Sequence, residues 1–239
     1  MRARYPDQDG FVERDGLKIA YAVYGSGPRD VVFTPIDPIV HSRVWKGQVP
    51  YLSRYARVVV IDPRGNGRSD RTSDPGLMTP QHFVDDTLAV MDEVGVERAL
   101  LVGLCSSAWT ALVAAAQHPD RVTGVVSMAT WAPYLTPPMP WRAAAPWDVE
   151  LDTDEGWAKD NKFYWQRDYR GFTEFFFDQL LPEPHSTKQW EGRRRLGGRE
   201  RRRHADRGHL RRRRRRGSRR DRGAAAPRDG PRARHPRRG

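Results

Sequence analysis

Residues 99–119, ALLVGLCSSAWTALVAAAQHP, decide the fold. The stretch opens on a continuously apolar run, 99–103, of the length and character of a buried strand. It turns at Leu104-Cys105-Ser106 and continues as an alanine-rich helix from Ser106 to about His118, where His118-Pro119-Asp120 stops it. A strand that passes directly into a helix needs a sharp turn, and small residues must flank the apex. Gly103 takes the first small position; Ser107 takes the second, where Gly is usual. The apex is Cys105, whose side chain such a turn holds in a strained conformation above the sheet. The N-terminal amides of the helix point at the same place, where they lower a thiol's pKa and hold a developing oxyanion. The competing reading makes Cys105 a small buried hydrophobe. Ser106 is a rival nucleophile if the turn is shifted by one residue, but its better use is to donate its backbone N–H to an oxyanion.

Working outward, residues 11–24 (FVERDGLKIAYAVY) read as two strands joined at Asp15-Gly16, a strong hairpin signal. VVFT (31–34) is a short buried strand, followed by a loop with Pro35 and Pro38 and a helical stretch from about Val44 to Arg54. ARVVVID (56–62) has the unbroken apolar character of a parallel strand covered on both faces. RGNGRSD then makes a tight turn in which Gly65 and Gly67 supply backbone angles that other residues resist. Thr79 opens a helix with Pro80 in its first turn; its buried stripe is Phe83, Thr87, Val90, Met91 and Val94, and Gly95 ends it. VTGVVSMAT (122–130) is the next strand. Strands alternating with helices in this way predict βαβ units and an α/β fold with a mainly parallel sheet and helices on both faces.

In this order and spacing, the strand VVFT with its loop, the turn from Asp62 to Asp70 and the elbow GLCSS leading into AWTALVAAAQHPDRVTGVV resemble the α/β-hydrolase superfamily, over residues 11–190. The resemblance implies that Cys105 occupies the nucleophile position, where Ser is commonest and Cys occurs in some branches. It implies an oxyanion hole made by the N–H of Ser106 and an N–H from the loop after VVFT. The family usually shows His-Gly in that loop; here Thr34-Pro35 stands instead, and since Pro35 has no N–H the second donor would be Ile36. His41, in the same loop, is expected to pack or hydrogen-bond locally. The superfamily's acid and His follow late strands of the sheet, and nothing after Cys105 fits them. Asp148, Asp152, Asp154, Asp160, Asp168 and Asp178 have no apolar strand before them, His185 sits in a Pro-Glu-Pro-His loop, and His204, His209 and His235 are set among arginines. The implied function is hydrolysis of an acyl-type bond (ester, lactone or thioester) by a Cys nucleophile, inactive or impaired as the sequence stands. No metal-ligand cluster or dinucleotide-binding fingerprint occurs, so no cofactor is expected.

Three parts are expected: the core of residues 1–130, an aromatic-rich helical lid at 131–190 and a disordered tail at 191–239. The lid carries many aromatic side chains with prolines between, implying a small apolar substrate. Its run Phe175-Phe176-Phe177 cannot all face one way on a helix, so part of it must meet a second surface. In the tail 22 arginines stand against five acids and no lysine, a net charge of +17, while residues 1–190 carry −5. The tail's only large apolar side chains are Leu196 and Leu210, too little to bury a core. Three explanations remain open for it: a nucleic-acid-binding arm on a degenerate hydrolase body, a solvated extension, or a shifted reading frame in GC-rich coding DNA, which yields this Arg, Gly, Ala, Pro mixture. The frame shift is favoured, and it makes the chain a truncated hydrolase; nucleic acid would then bind only non-specifically. No apolar run approaches the about 20 residues that span a bilayer, and MRARYPDQDG lacks a signal peptide's apolar stretch. A cytoplasmic protein that does not enter membranes is the default; the oligomeric state is open.

Overall fold

Asp15 and Gly16, both at positive φ (52° and 73°), turn the chain between β1 (Gln8–Arg14) and β2 (Leu17–Tyr24). The structure, a computed structural model, describes residues 4–36, 39–72, 74–132 and 147–181; the arginine-rich segment and His185 lie outside the described residues. β1 begins before the expected Phe11, because Gln8, Asp9 and Gly10 pair with Val23, Ala22 and Tyr21 along an outer strand whose polar residues face solvent. No apolar alternation marks that start.

The described strands form one sheet in the order β1-β2-β4-β3-β5-β6. β3 (Asp30–Phe33), β4 (Arg57–Ile61), β5 (Ala99–Leu104) and β6 (Val122–Met128) run parallel, while β1 and β2 join the β4 side antiparallel. The expected α/β architecture is therefore present. Alternate residues of the central strands feed two cores. Val32, Val59, Ile61 and Leu101 face Val84, Val90 and Met91 of α2 (Pro80–Glu93) and Ala111 and Ala114 of α3 (Ser106–Gln117). Val31, Phe33, Val58, Val60 and Val102 face Trp45 and Val49 on the other side. The expected helix over 44–54 is instead a 3-10 helix, Ser42–Gly47, followed by the four-residue α1, Val49–Leu52. Gly47 ends the first piece and Pro50, in the first turn of the second, restarts it.

The path of the chain places the site. Of the four parallel strands β3 comes first in the chain; β4 pairs on one side of it and β5 on the other. Consecutive crossovers that leave one strand in opposite directions open a crevice at the carboxyl ends of the strands, here between the ends of β3 and β5.

Beyond β6, the described part of the aromatic segment holds a 3-10 helix, Gly156–Lys159, and α4 (Lys162–Leu180). Asn161 caps α4 by accepting from the N–H of Phe163 at 2.9 Å. The helix breaks at Asp168 (φ −145°, ψ 72°), whose carboxylate accepts from the N–H of Gly171 at 3.0 Å and so starts the second half. The phenylalanine run is divided between two surfaces. Phe175 meets Trp157 edge-on at 5.2 Å, while Phe177 is buried with Phe172 against Ile39 of the loop after β3.

Candidate functional site

The turn between β5 and α3 has the geometry that the flanking small residues demand. Cys105 lies at φ 58°, ψ −119°, a left-handed conformation that residues other than glycine resist, and it is exposed. Its N–H donates to the carbonyl of Met128 at 3.0 Å, the last rung between β5 and β6, and its carbonyl accepts from the N–H of Trp131 at 3.2 Å. Exposure disposes of the reading of Cys105 as a buried small hydrophobe. Gly103 is required for a different reason: a Cβ there would lie 2.5 Å from both Cα and N of Ala108 and would also strike the carbonyl oxygen of Ser107. Strand and helix backbones touch at this point, and only glycine fits between them.

Ser107, which stands where a second glycine is usual, is buried. Its Oγ accepts from the N–H of Leu104 at 2.9 Å and donates to the carbonyl of Leu104 at 3.0 Å. Ser106 is the first residue of α3, so its N–H has no acceptor within the helix. Its hydroxyl oxygen is buried and has no hydrogen-bond partner.

The loop after β3 reaches the elbow through Thr34. Its N–H donates to the carbonyl of Val102 at 3.0 Å, one step beyond the last β3–β5 pair. Its Oγ1 lies 3.2 Å from the same carbonyl and 3.0 Å from that of Ser107. Ile36, two residues on, is buried in the core beside Val102. The structure therefore brings Gly103, Cys105, Ser106, Ser107 and the loop carrying Ile36 to one place.

Other histidines and acids among the described residues are bonded locally or lie along α3. His41 is buried and accepts from the N–H of Arg43 at 3.2 Å, capping the 3-10 helix as local bonding predicts. His118 ends α3, which at twelve residues puts it about 18 Å from the elbow. His82 is near the start of α2, hydrogen-bonded to the hydroxyl of Thr79 at 2.7 Å. Asp148 pairs with Lys162 and Asp154 with Arg167, all on the surface. No group of His, Cys, Asp or Glu among the described residues is arranged to hold a metal, and no described helix is long and apolar enough to cross a membrane.

One charged assembly escaped the sequence reading. Arg64, in the turn after β4, has no exposed surface. It donates to both carboxylate oxygens of Asp86 at 2.7 and 2.6 Å, to Asp15 at 2.8 Å and to the carbonyl of Leu77 at 3.0 Å. Burial pushes the Asp86 carboxyl up against the opposing pull of the guanidinium. The hydrogen bond from Arg64 holds Asp15 below the usual carboxylate value. In the same turn, the Asp62 carboxylate accepts from the N–H groups of Ser42 (3.0 Å) and Arg68 (2.8 Å). The turn is thus held by carboxylates as well as permitted by its glycines. An acid within the apolar stripe of α2 was the signal that a buried partner was needed.

Residues 39–195 match the family model described as the alpha/beta hydrolase fold. Among curated proteins, the chain is 31% identical over 121 residues to epoxide hydrolase 3 of Siraitia grosvenorii, covering 49% of this chain and 37% of that one. It is 35% identical over 121 residues to the putative carbamate hydrolase RutD of Caulobacter vibrioides, covering 49% and 44%. Among solved structures it is similar to Est816, an N-acyl homoserine lactone degrading enzyme, with 29% identity and a TM-score of 0.50 over 69% of this chain and 55% of that one. The chain spans about two fifths of the length of the epoxide hydrolases it matches.

Proposed function

Since the chain belongs to the α/β-hydrolase fold family, we propose that it is built to hydrolyse an acyl-type bond, in an ester, lactone or thioester, with Cys105 as nucleophile. The observation that carries this reading is the exposed Cys105 at positive φ at the first turn of α3. In the proposed reaction the thiolate adds to the carbonyl carbon, and the carbonyl electron pair moves to oxygen. The N–H groups of Ser106 and Ile36 receive that oxyanion. Its collapse expels the alkoxide or thiolate leaving group, which takes up a proton, and leaves a thioester on Cys105 that water hydrolyses.

The sequence after Cys105 supplies no acid and His that follow late strands in the order the family uses. We take the sequence from 191 to be out of frame, on its abrupt change to arginine with Gly, Ala and Pro and without lysine. As it stands the chain would hold the nucleophile and the oxyanion donors without base or orienter, a loss of several orders of magnitude in turnover. The aromatic side chains of 147–181 suit a small apolar substrate; the 22 arginines of the tail would bind nucleic acid through phosphates without sequence preference.

The test is mass spectrometry of the intact chain after incubation with activated esters, lactones, a thioester and, because epoxide hydrolases are among its relatives, an epoxide. A covalent acyl adduct lost in Cys105→Ala is expected. An adduct from the epoxide alone, or one that survives the substitution, would overturn the acyl-transfer reading.

A further inference from the structure

We infer that Thr34 and Ser107 are positioning residues whose hydroxyls hold Cys105 in its reactive conformation, an inference that rests on Cys105 being the nucleophile. A non-glycine residue at φ 58°, ψ −119° relaxes unless its surroundings over-determine it. Two hydroxyls do so here. Ser107 Oγ spans both backbone groups of Leu104, the residue before the apex. Thr34 Oγ1 lies between the carbonyls of Val102 and Ser107, one on the strand side of Cys105 and one on the helix side, and so ties the two limbs of the turn together from a third element.

Both side chains are 1% exposed. Water therefore cannot replace a lost bond: without Ser107 Oγ the Leu104 N–H loses that acceptor, and without Thr34 Oγ1 the carbonyls of Val102 and Ser107 lose the bridge between them, so the turn is free to relax. The two residues also touch each other, since the Thr34 hydroxyl reaches the Ser107 carbonyl at 3.0 Å. Both stand, with Pro35 and Cys105, among the positions where this chain departs from the family's usual residues, Thr34 in place of His and Ser107 in place of Gly. The two are linked: the Ser107 hydroxyl braces the residue before the apex, and the Thr34 hydroxyl braces the carbonyl of Ser107. Neither side chain acts on the reacting atoms. They fix where the thiol stands relative to the amides of α3, and hence how far those amides favour its charged form.

The experiment uses the full chain, whose sole cysteine makes the readout specific. The iodoacetamide alkylation rate of Cys105 is measured against pH for the wild type, Thr34→Val, Thr34→Ser and Ser107→Ala, with thermal melting of the same samples. The wild-type alkylation midpoint is expected below that of an unstructured cysteine peptide. Thr34→Val and Ser107→Ala should raise the midpoint and slow alkylation at neutral pH by about three- to tenfold, while Thr34→Ser keeps the wild-type profile. Should Thr34→Val not fold, Ser107→Ala carries the same comparison. Folded variants that melt lower but alkylate with the wild-type profile would show that the hydroxyls are merely structural and overturn the proposal. A wild-type midpoint equal to that of the peptide would instead overturn the nucleophile reading, and the positioning roles with it.

Discussion

Arg64 and Asp86 form a fully enclosed, two-pronged ion pair that joins the turn after β4 to the middle of α2. Removing Asp86 leaves the buried Arg64 with only the partly exposed Asp15 as counter-charge. Asp86→Ala is therefore expected to cost about 3–5 kcal/mol, read as a lowered urea midpoint. Replacing Arg64 and Asp86 together by methionine and leucine should cost much less. If the single substitution were as mild as the double one, the pair would contribute little to holding the turn.

Gly103→Ala places a methyl group against the backbone of Ala108. Neither side of the contact is a flexible side chain, so strand and helix must separate, at a cost of about 1–3 kcal/mol or more. Circular dichroism melting should show the loss, and the same change at Gly47, around which a Cβ meets nothing, should be nearly neutral. Equal effects at the two sites would contradict the close packing of β5 on α3.

Acid should weaken the fold partly through Asp7 and Asp15. Asp7 accepts from the N–H of Gly25 at 2.6 Å and pairs with Arg4; Asp15 pairs with Arg64. Both carboxyls ionise below their ordinary value of 3.8 in the folded chain. Their stabilisation is thus complete above that value and is lost as pH falls through the folded value. Asp15→Asn should lower the urea midpoint at neutral pH, by an amount that shrinks steadily as pH falls below 3.8. An undiminished difference in acid would show that charge is not how Asp15 contributes.

The arginine-rich segment offers a test outside protein chemistry. Translating the coding DNA from codon 180 onward in all frames should reveal a frame that continues past residue 190 into a strand ending near an Asp or Glu and a later strand ending near a His. If no frame does so, the tail is encoded as given. Salt-sensitive binding to duplex DNA, lost when residues 191–239 are deleted, then becomes the property to measure.

What could be read from the sequence follows from range. The elbow was legible because strand, apex and helix lie within twenty residues and each announces itself by composition. The hairpin at Asp15-Gly16 was legible for the same reason. The start of β1 was not, because an outer strand needs no apolar alternation. Nor was the break at Gly47 and Pro50 in the expected helix, since a 3-10 turn and an α turn bury similar residues. Within the site, Cys105, Ser106 and Ile36 were nameable from the elbow and its loop. The bond from Thr34 to Ser107 joins residues 73 positions apart and depends on β3 lying beside β5, which no local pattern encodes.

That separation governs how the protein must be made. Since β5 is added to the far side of β3 only after β4 has taken the near side, a nascent chain released as far as α2 has the loop after β3 but no elbow to dock it on. The pocket can only assemble late, after a closure spanning most of the core, a slow kind of event that leaves the free edge of β3 open to other partners in the meantime. The interval between release of β3 and arrival of β5 is therefore the stage at which this chain is most exposed to mispairing.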